Sequence, residues 1–306
     1  MKSKIFIIMV LASFIAAGVS GCNLLKKRVE KKEKLEYKVS GRSKTQISVE
    51  NTNGEIKIFK SDDTLGLITI QAEKIARVRF DDKDKPIDNL DIIIDSTGSV
   101  VRVKADYEKS GSGFFNRPDD RKVNFEIRVP ANIKVDVDNI NGTITMTGLM
   151  NDIKVNSVNG SSNFNKCSGS INVDATNGSV SGNFDSTRGI NIDVTNGAVK
   201  LGGLKNVSAN VNASTVNGKV KFNNLNFSNL TAEKKNLSGT LGTGSSLIKI
   251  SSVNGSITLD ANDISLAQDK HNGEFRFNFD FDDDDNTTHN KIRNDTAKTL
   301  DSPKTK

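Results

Sequence analysis

The chain has 306 residues and is poor in the side chains on which most enzyme centres depend. Its two histidines, His271 and His289, leave almost no candidates for histidine-based triads or histidine-rich metal sites. It has no tryptophan, so glycan stacking on indole rings is excluded, and it has no Walker-type phosphate loop. We therefore expect no catalytic residue, no bound metal and no cofactor.

The composition also limits the class of fold and of partner. Apolar residues make up 35% of the chain, which is low for a thick globular core, while Gly, Asn, Ser, Thr and Asp are abundant. This balance suits short strands joined by many turns. The net charge of +6 is small for the length, so we expect no nucleic-acid partner.

One dipeptide recurs along the chain. Asn-Gly begins at residues 141, 159, 177, 196, 217 and 254, with outlying copies at 53 and 272. The first intervals are 18, 18, 19 and 21 residues, and the next interval, of 37, holds a degenerate copy at Ser238-Gly239. A nearly fixed period of this length indicates stacked repeats.

The residues around each Asn-Gly pair follow one pattern. Apolar residues recur six and four positions before Asn and three and five positions after it, and the residue directly before Asn is β-branched. This alternation predicts a half-buried strand on each side of a sharp bend, since Gly and Asn tolerate positive φ. The residues six positions before Asn are Ile47, Val135, Ile153, Ile171, Ile190, Val211 and Ile248.

Two architectures fit this pattern. Asn-Gly between alternating strands is the strongest short-range hairpin signal, so an antiparallel meander or sandwich is possible. The matched chemistry at every position instead favours equivalent residues stacked in register. We predict an all-β fold: a single-domain parallel β-solenoid (β-helix) of about 18–21-residue rungs with Asn-Gly corners. The corner asparagines should form a ladder, bonding from amide to backbone.

The region 60–130 lacks these bends. Four strands are expected there, at Leu67–Ala72, Leu90–Asp95, Ser99–Ala105 and Val123–Val129. A glycine-flanked loop between the last two carries Phe114 and Phe115. These two rings are candidate binding residues at a contact tip, and the alternative is that they cover an open end of the solenoid.

The N-terminus reads as an export signal. Lys2 and Lys4 precede the apolar run from Ile5 to Gly18, which is too short to span a bilayer comfortably. The run is followed by Val19-Ser20-Gly21-Cys22, which resembles the bacterial lipobox. The resemblance implies cleavage before Cys22, a diacylglyceryl thioether on its sulfur and an acylated amino terminus, which suffice for stable anchoring.

These features divide the chain into four parts. Residues 1–21 are the lipoprotein signal peptide, 22–46 the lipidated anchor and charged spacer, 47–281 the β-solenoid domain, and 282–306 a disordered acidic and polar tail. We expect the chain in the bacterial cell envelope, held in the lipid bilayer through acylated Cys22. Asn23 follows in place of the Asp that retains lipoproteins at the inner membrane, which favours the outer membrane if the source has one.

The second cysteine, Cys167, lies at a turn between repeats, within Lys166-Cys167-Ser168-Gly169. With Cys22 lipidated, no intramolecular disulfide is possible. No histidine or basic cluster adjoins Cys167 in the sequence, so we interpret it as a small unreactive residue.

The segment Val129-Pro130-Ala131-Asn132-Ile133-Lys134-Val135, followed by the Asn-Gly repeats, resembles a bacterial family. That family comprises exported β-solenoid proteins of unknown function called "putative adhesins". The resemblance covers roughly residues 47–281 and implies the fold, but it supplies no catalytic residues. It favours surface interaction or adhesion without catalysis, with a protein or cell-surface ligand as partner.

Two other functions stay open. One is a structural or regulatory envelope protein. The other is a carboxylate-dependent enzyme acting on polysaccharide, for which clustered carboxylates could act as acid and base or bind Ca²⁺. The repeated Gly-Gly-x-Gly-x-Asp calcium motif of other solenoids is absent. The candidate carboxylates are Asp136, Asp138, Asp174 and Asp193.

Overall fold

The structure is a computed structural model that describes residues 28–87, 90–107 and 121–266 and the backbone of residues 7–8. Short strands account for most of the described chain, and single 3₁₀ turns occur at Phe80–Asp82 and Leu204–Asn206. The strands in chain order are β1 (Ile7–Ile8), β2 (Arg28–Ser40), β3 (Gln46–Asn53), β4 (Ile56–Lys60), β5 (Leu67–Arg79), β6 (Asp91–Asp95), β7 (Val100–Asp106), β8 (Arg121–Val129), β9 (Lys134–Asn141), β10 (Ile144–Thr147), β11 (Ile153–Asn159), β12 (Ser162–Asn165), β13 (Ser170–Asn177), β14 (Val180–Asn183), β15 (Gly189–Asn196), β16 (Val199–Gly202), β17 (Ala209–Asn217), β18 (Val220–Asn223), β19 (Phe227–Ala232), β20 (Asn236–Leu241), β21 (Ser246–Asn254) and β22 (Ile257–Asp260).

Within the described residues the strands form two 11-stranded sheets. Sheet A has the order β1-β2-β5-β8-β4-β10-β12-β14-β16-β22-β18, and sheet B has the order β19-β20-β17-β21-β15-β13-β11-β9-β3-β7-β6. Neighbouring strands in the repeat region are parallel, with Ile144 opposite Ser162 and Ser162 opposite Val180. The prediction of an all-β fold with parallel stacking is confirmed.

Each Asn-Gly pair of the described residues joins a strand of sheet B to a strand of sheet A. The first repeat shows this: β9 ends at Asn141 in sheet B, and β10 begins at Ile144 in sheet A. In sheet B the corner residues Asn141, Asn159 and Asn177 lie opposite one another. Because the two strands that flank a bend lie in different sheets, these bends do not form the hairpins of the alternative architecture.

At the C-terminal end of the described chain, the order of the rungs in the sheet differs from their order in the sequence. β21 pairs with β15 on one side and with β17 on the other, so Asn254 lies between Asn196 and Asn217. The hairpin β19–β20 then ends sheet B, with Ser238 antiparallel and opposite Asn212 of β17. The prediction that Ser238-Gly239 is a degenerate parallel rung is therefore wrong, since its strand forms an antiparallel cap.

At the other end of the sheets, the order of the strands also differs from their order in the sequence. β3 lies between β7 and β9, although it precedes both in the chain. In sheet A, β8 is parallel to β4 but antiparallel to β5, and β5 is antiparallel to β2 over the whole of Arg28–Ser40. Residues 28–40 are thus a sheet strand, which corrects the prediction of a charged spacer over 22–46. The charges alternate with Leu35, Tyr37 and Val39, which pack on the core.

The inward side chains of both sheets form one hydrophobic core. The apolar positions of the repeat supply it, as the alternation predicts. Gly182 interrupts the row of large residues five positions after Asn, and the ring of Phe184 fills that space. A Cβ on Gly182 would lie 2.5 Å from the Phe184 ring, which leaves no room for a side chain there.

The corner asparagines form a ladder of side-chain hydrogen bonds. Asn177 donates its Nδ2 to the Oδ1 of Asn159 at 3.0 Å, and Asn159 donates in the same way to Asn141 at 2.9 Å. The ladder runs from Asn53 through Asn141, Asn159, Asn177, Asn196 and Asn254 to Asn217. The predicted backbone partner is wrong: identical amides stacked at the strand spacing of about 4.8 Å bond directly to each other.

The ladder yields a stability prediction. Asn177 and Asn217 are both exposed, but Asn177 makes two ladder bonds and Asn217, at the end, makes one. At roughly 1 kcal/mol per bond, Asn177→Ala should lower the free energy of unfolding by about 2 kcal/mol and Asn217→Ala by about 1 kcal/mol. Urea unfolding measures both, and equal losses would show that the ladder contributes nothing beyond a single side chain.

Candidate functional site

A groove crosses the outer face of sheet B, spanning nine strands from β7 to β20, and has a volume of about 890 Å³. Three residues of each rung line it: those three, two and one positions before the corner Asn. The stacking of the rungs turns each of these positions into a column. The sequence repeat therefore becomes a repeated surface along the groove.

One wall of the groove is acidic. Asp174 lies directly opposite Asp193 on the neighbouring rung, and the Nδ2 of Asn156 donates to the Oδ1 of Asp138 at 2.6 Å. Lys104 of β7 lies opposite Glu50 at one end. We call this wall the acidic column; in spatial order it comprises Glu50, Asp138, Asn156, Asp174, Asp193, Ser251 and Ser214.

The facing wall is apolar and exposed. Ile140 is 45% exposed, Val158 42% and Val216 57%. Scattered exposed aliphatic residues are ordinary, but here they form two adjacent pairs in one column, Ile140 with Val158 and Val253 with Val216, separated by two threonines. We call this wall the β-branched column; it comprises Thr52, Ile140, Val158, Thr176, Thr195, Val253 and Val216.

Buried residues form the floor and tie it to the corners. Thr215 donates its Oγ1 to the carbonyl oxygen of Gly255 at 2.7 Å, and Ser252 donates to that of Gly197 at 3.3 Å. The Nδ2 of Asn139 donates to the oxygen of Gly142 at 3.2 Å. These hydrogen bonds fix the floor of the groove relative to the Asn-Gly corners, so the groove is formed without a bound partner.

The sequence pattern identifies residues that line this groove, but it does not predict that they form a groove. The recurring acids are singled out in the sequence only as candidate carboxylates of an enzyme, and the β-branched residue before Asn only as part of the strand pattern. The strand alternation could have revealed the β-branched column. Successive residues of a strand point to opposite faces, so the residue one position before Asn faces outward when the residue two positions before it is buried.

The carboxylates proposed for an enzyme do not form one cluster. Asp138, Asp174 and Asp193 line the groove, whereas Asp136 lies outside it. Partial burial raises the pKa of Asp136, with neighbouring Asp138 adding to the effect and Lys154 opposing it. Among the described residues, no group of three or more His, Cys, Asp or Glu side chains could hold a metal ion.

The other residues singled out by sequence are not part of this groove. Cys22, Phe114 and Phe115 lie outside the described residues, so their roles stay predictions. In the described part of the chain, no helix is long and apolar enough to cross a membrane.

Two mostly parallel sheets of stacked rungs define an all-β repeat protein. Residues 131–260, which hold β9 to β22, match the family model described as Toastrack DUF4097. This match confirms the resemblance drawn from the Asn-Gly repeats. The lipoprotein form stays a prediction.

Solved structures also share features with the chain. One is a "putative cell adhesion protein" from Clostridium sporogenes, 12% identical, covering 75% of this chain and 99% of its own, with a TM-score of 0.42. Another is a "putative adhesin" from Bacteroides fragilis, 14% identical, covering 75% and 96%, with a TM-score of 0.28. At these TM-scores neither carries an argument about this chain. A search of curated proteins found no match.

Cys167 is fully buried in the core, with its Sγ 3.6 Å from the carbonyl oxygen of Met146. Burial raises the pKa of its thiol to about 11. The reactive thiolate is therefore scarce at neutral pH, which agrees with a structural role.

Cys167 should not react with a thiol reagent at pH 8 until the protein unfolds. In a Cys22→Ser chain it is the only thiol, so the reaction rate with and without denaturant measures its protection. Because burial raises the folded-state pKa of the thiol above its ordinary value of 9.0, the stabilising contribution is full below pH 9 and is lost as pH rises toward about 11. Rapid reaction of the native protein at pH 8 would contradict this burial.

Proposed function

We propose that the chain is a lipid-anchored protein of the bacterial cell envelope that binds a protein or cell-surface ligand along the sheet B groove, without catalysis. Its solenoid domain, predicted over residues 47–281, also includes strand β2 at Arg28–Ser40 and has rungs of about 18–21 residues. The observation that carries the proposal is the exposed row of Ile140, Val158, Val253 and Val216 beside the acidic column. A row of this kind suits contact with a partner that supplies apolar and cationic groups.

The periodicity of the groove supports adhesion over capture of one small molecule. Equivalent positions recur at every rung, about 4.8 Å apart, and several of them carry the same type of side chain, so a long partner can make similar weak contacts several times. Linked weak contacts combine into firm attachment without any single strong site. The groove is also preformed, which reduces the entropy lost on binding.

Catalysis is disfavoured by the same periodicity. An acid and a base for glycoside hydrolysis need surroundings that differ, so that one is protonated while the other is charged. Asp174 and Asp193 occupy equivalent positions on adjacent parallel rungs, both on the outer face of sheet B. Asp174 is exposed and Asp193 is half-buried on the open face, so neither lies in an enclosed apolar pocket of the kind that a catalytic acid uses.

Localisation follows from the same proposal. Acylation of Cys22 holds the chain in the bilayer, and the outer membrane is the favoured one where the source has two membranes. Support comes from the basic and apolar residues before Cys22 and from the small residues directly preceding it.

A groove variant tests adhesion directly. Ile140→Lys with Val158→Lys places cations in the apolar wall, where both wild-type side chains are already exposed, so folding should be retained. Cells that carry this variant should attach to sister cells or to fibronectin-coated surfaces no better than a deletion strain. The matched control, Thr145→Lys with Thr147→Lys on the outer face of sheet A, should behave as wild type.

The outcomes separate the functions. Wild-type attachment by the groove variant at equal surface level would show that the groove is not the contact. Unchanged attachment by the deletion strain would overturn adhesion itself. A deletion strain that attaches normally but is sensitive to detergent would instead support the structural role.

A further inference from the structure

Basic side chains gather at one end of sheet A, on the outer face of strands β2, β5 and β8. The register sets three rows there: Arg28 lies opposite Arg79, Glu30 lies opposite Arg77, and Lys32 lies opposite Ile75. Lys122 of β8 lies opposite Ile75 from the other side. Alternate residues of a strand share a face, so these rows form one surface. We call it the basic end; it comprises Arg28, Lys32, Arg77, Arg79 and Lys122.

The basic end is open to solvent. Arg28, Lys32, Arg77, Arg79 and Lys122 are all exposed, and the side chain of Lys32 is 52% exposed. Ile75 is buried between the positions of Lys32 and Lys122, and long lysine stems can cover an apolar neighbour while their charges stay in water.

Among the described residues, acidic groups only partly balance these cations. Glu30 lies on the same face and is 3.4 Å from the amino group of Lys32. Asp81, Asp82 and Asp84 follow β5 in the chain, and the carboxylate of Asp82 contacts Lys85 at 2.8 Å, with Arg79 also near enough to help lower its pKa. The three rows of the basic end thus hold five cations and one carboxylate, and the next row of the same face pairs Lys34 with Glu73.

The pairing of these strands works against this arrangement. Among the described residues Arg77–Arg79 pair with β2, and Val78, between the two arginines, packs on the core. Like charges directly opposite on neighbouring strands, as Arg28 and Arg79 are, disfavour strand pairing. A surface that keeps such a pair is suited to an anionic partner.

The place where the strand begins indicates which partner. Arg28 is the sixth residue after Cys22, so the intervening chain can span at most about 20 Å. Lys26 and Lys27 lie within that stretch. If Cys22 is acylated, as proposed above, the basic end cannot move far from the headgroups, and clustered cations beside an anchor are attracted to anionic lipid.

We propose that the basic end lies against the anionic headgroups of the bilayer that holds the acyl chains of Cys22, and so orients the stack on the membrane. The inference rests on the proposed lipid anchor. The opposite ends of the sheets, at β18 and β19, are then roughly 40–50 Å farther along the stack, at about 4.8 Å per strand. The sheet B groove faces outward over that length, available to a partner beyond the membrane surface.

Lysine protection tests this docking. The full acylated protein is reconstituted into vesicles of phosphatidylcholine, alone or mixed with phosphatidylglycerol, at low salt, and treated with a water-soluble acetylating reagent. Mass spectrometry then reports acetylation at each lysine. We expect acetylation of Lys32 and Lys122 to fall roughly fivefold in the mixed vesicles and to recover at high salt. Lys200 and Lys221, exposed at the far end of sheet A, should be unchanged.

Two variants separate a local contact from a general charge effect. Arg77→Gln with Arg79→Gln removes two charges from the basic end and should abolish most of the protection. Lys200→Gln with Lys221→Gln removes the same charge at the far end and should leave the protection of Lys32 and Lys122 intact. Equal loss in both variants would overturn a specific docked face.

Flotation of the vesicles distinguishes the two proposals. Protein that floats with both vesicle types but shows the same lysine acetylation in each overturns the docked orientation and leaves the lipid anchor standing. Protein that floats with neither overturns the anchor, and the docking with it. Protein that floats with both and is protected only on anionic vesicles supports the docking.

Discussion

The Asn-Gly corners stack backbone on backbone, and no side chain fits between them. A Cβ on Gly178 would lie 1.7 Å from the carbonyl oxygen of Gly160, and one on Gly160 would lie 2.1 Å from that of Gly142. The amide of Gly160 meanwhile donates to the carbonyl of Asn177 at 2.9 Å. Glycine is needed here because adjacent rungs approach closely; at Gly178 the φ angle alone would not demand it.

The other regularities follow from this contact. Corners in register place the asparagine amides within hydrogen-bond reach of one another, and they place the inward residues of successive rungs in one core. The same register aligns the outward residues into the acidic and β-branched columns. The groove is therefore a consequence of the stacking, and substitutions at outward positions can change its surface chemistry. In our account, the residues that carry the function are those at the outward positions and at the two ends of the stack.

Much of the fold could be predicted from sequence because its signals are local. Alternation with period two identified the strands, and Asn-Gly identified the corners. The spatial order of the rungs could not be predicted in this way. Val211 and Ile248, or Ala213 and Ile250, fill equivalent positions, so the inward pattern does not say which rung stacks next to β15.

The rest depended on contacts between distant segments. β2 reads as a charged spacer because its alternate residues are Lys and Glu, and its partner β5 lies far along the chain. The groove could not be predicted because the sequence pattern of an outward acid is the same on a flat face as on a concave one. Likewise, the charges of the basic end share a face only because three strands lie side by side, and the sequence does not show that these strands are neighbours.

The most direct test is the stability of Gly178→Ala measured beside Gly66→Ala. Gly66 has a φ of 68° and open space around its Cβ position, so alanine there should cost only the strain of the left-handed conformation, about 1–2 kcal/mol. Gly178→Ala must push two rungs apart and should cost roughly 4 kcal/mol or more, or prevent folding. Equal, small losses in the two variants would show that the corners do not determine the stack and would contradict the account.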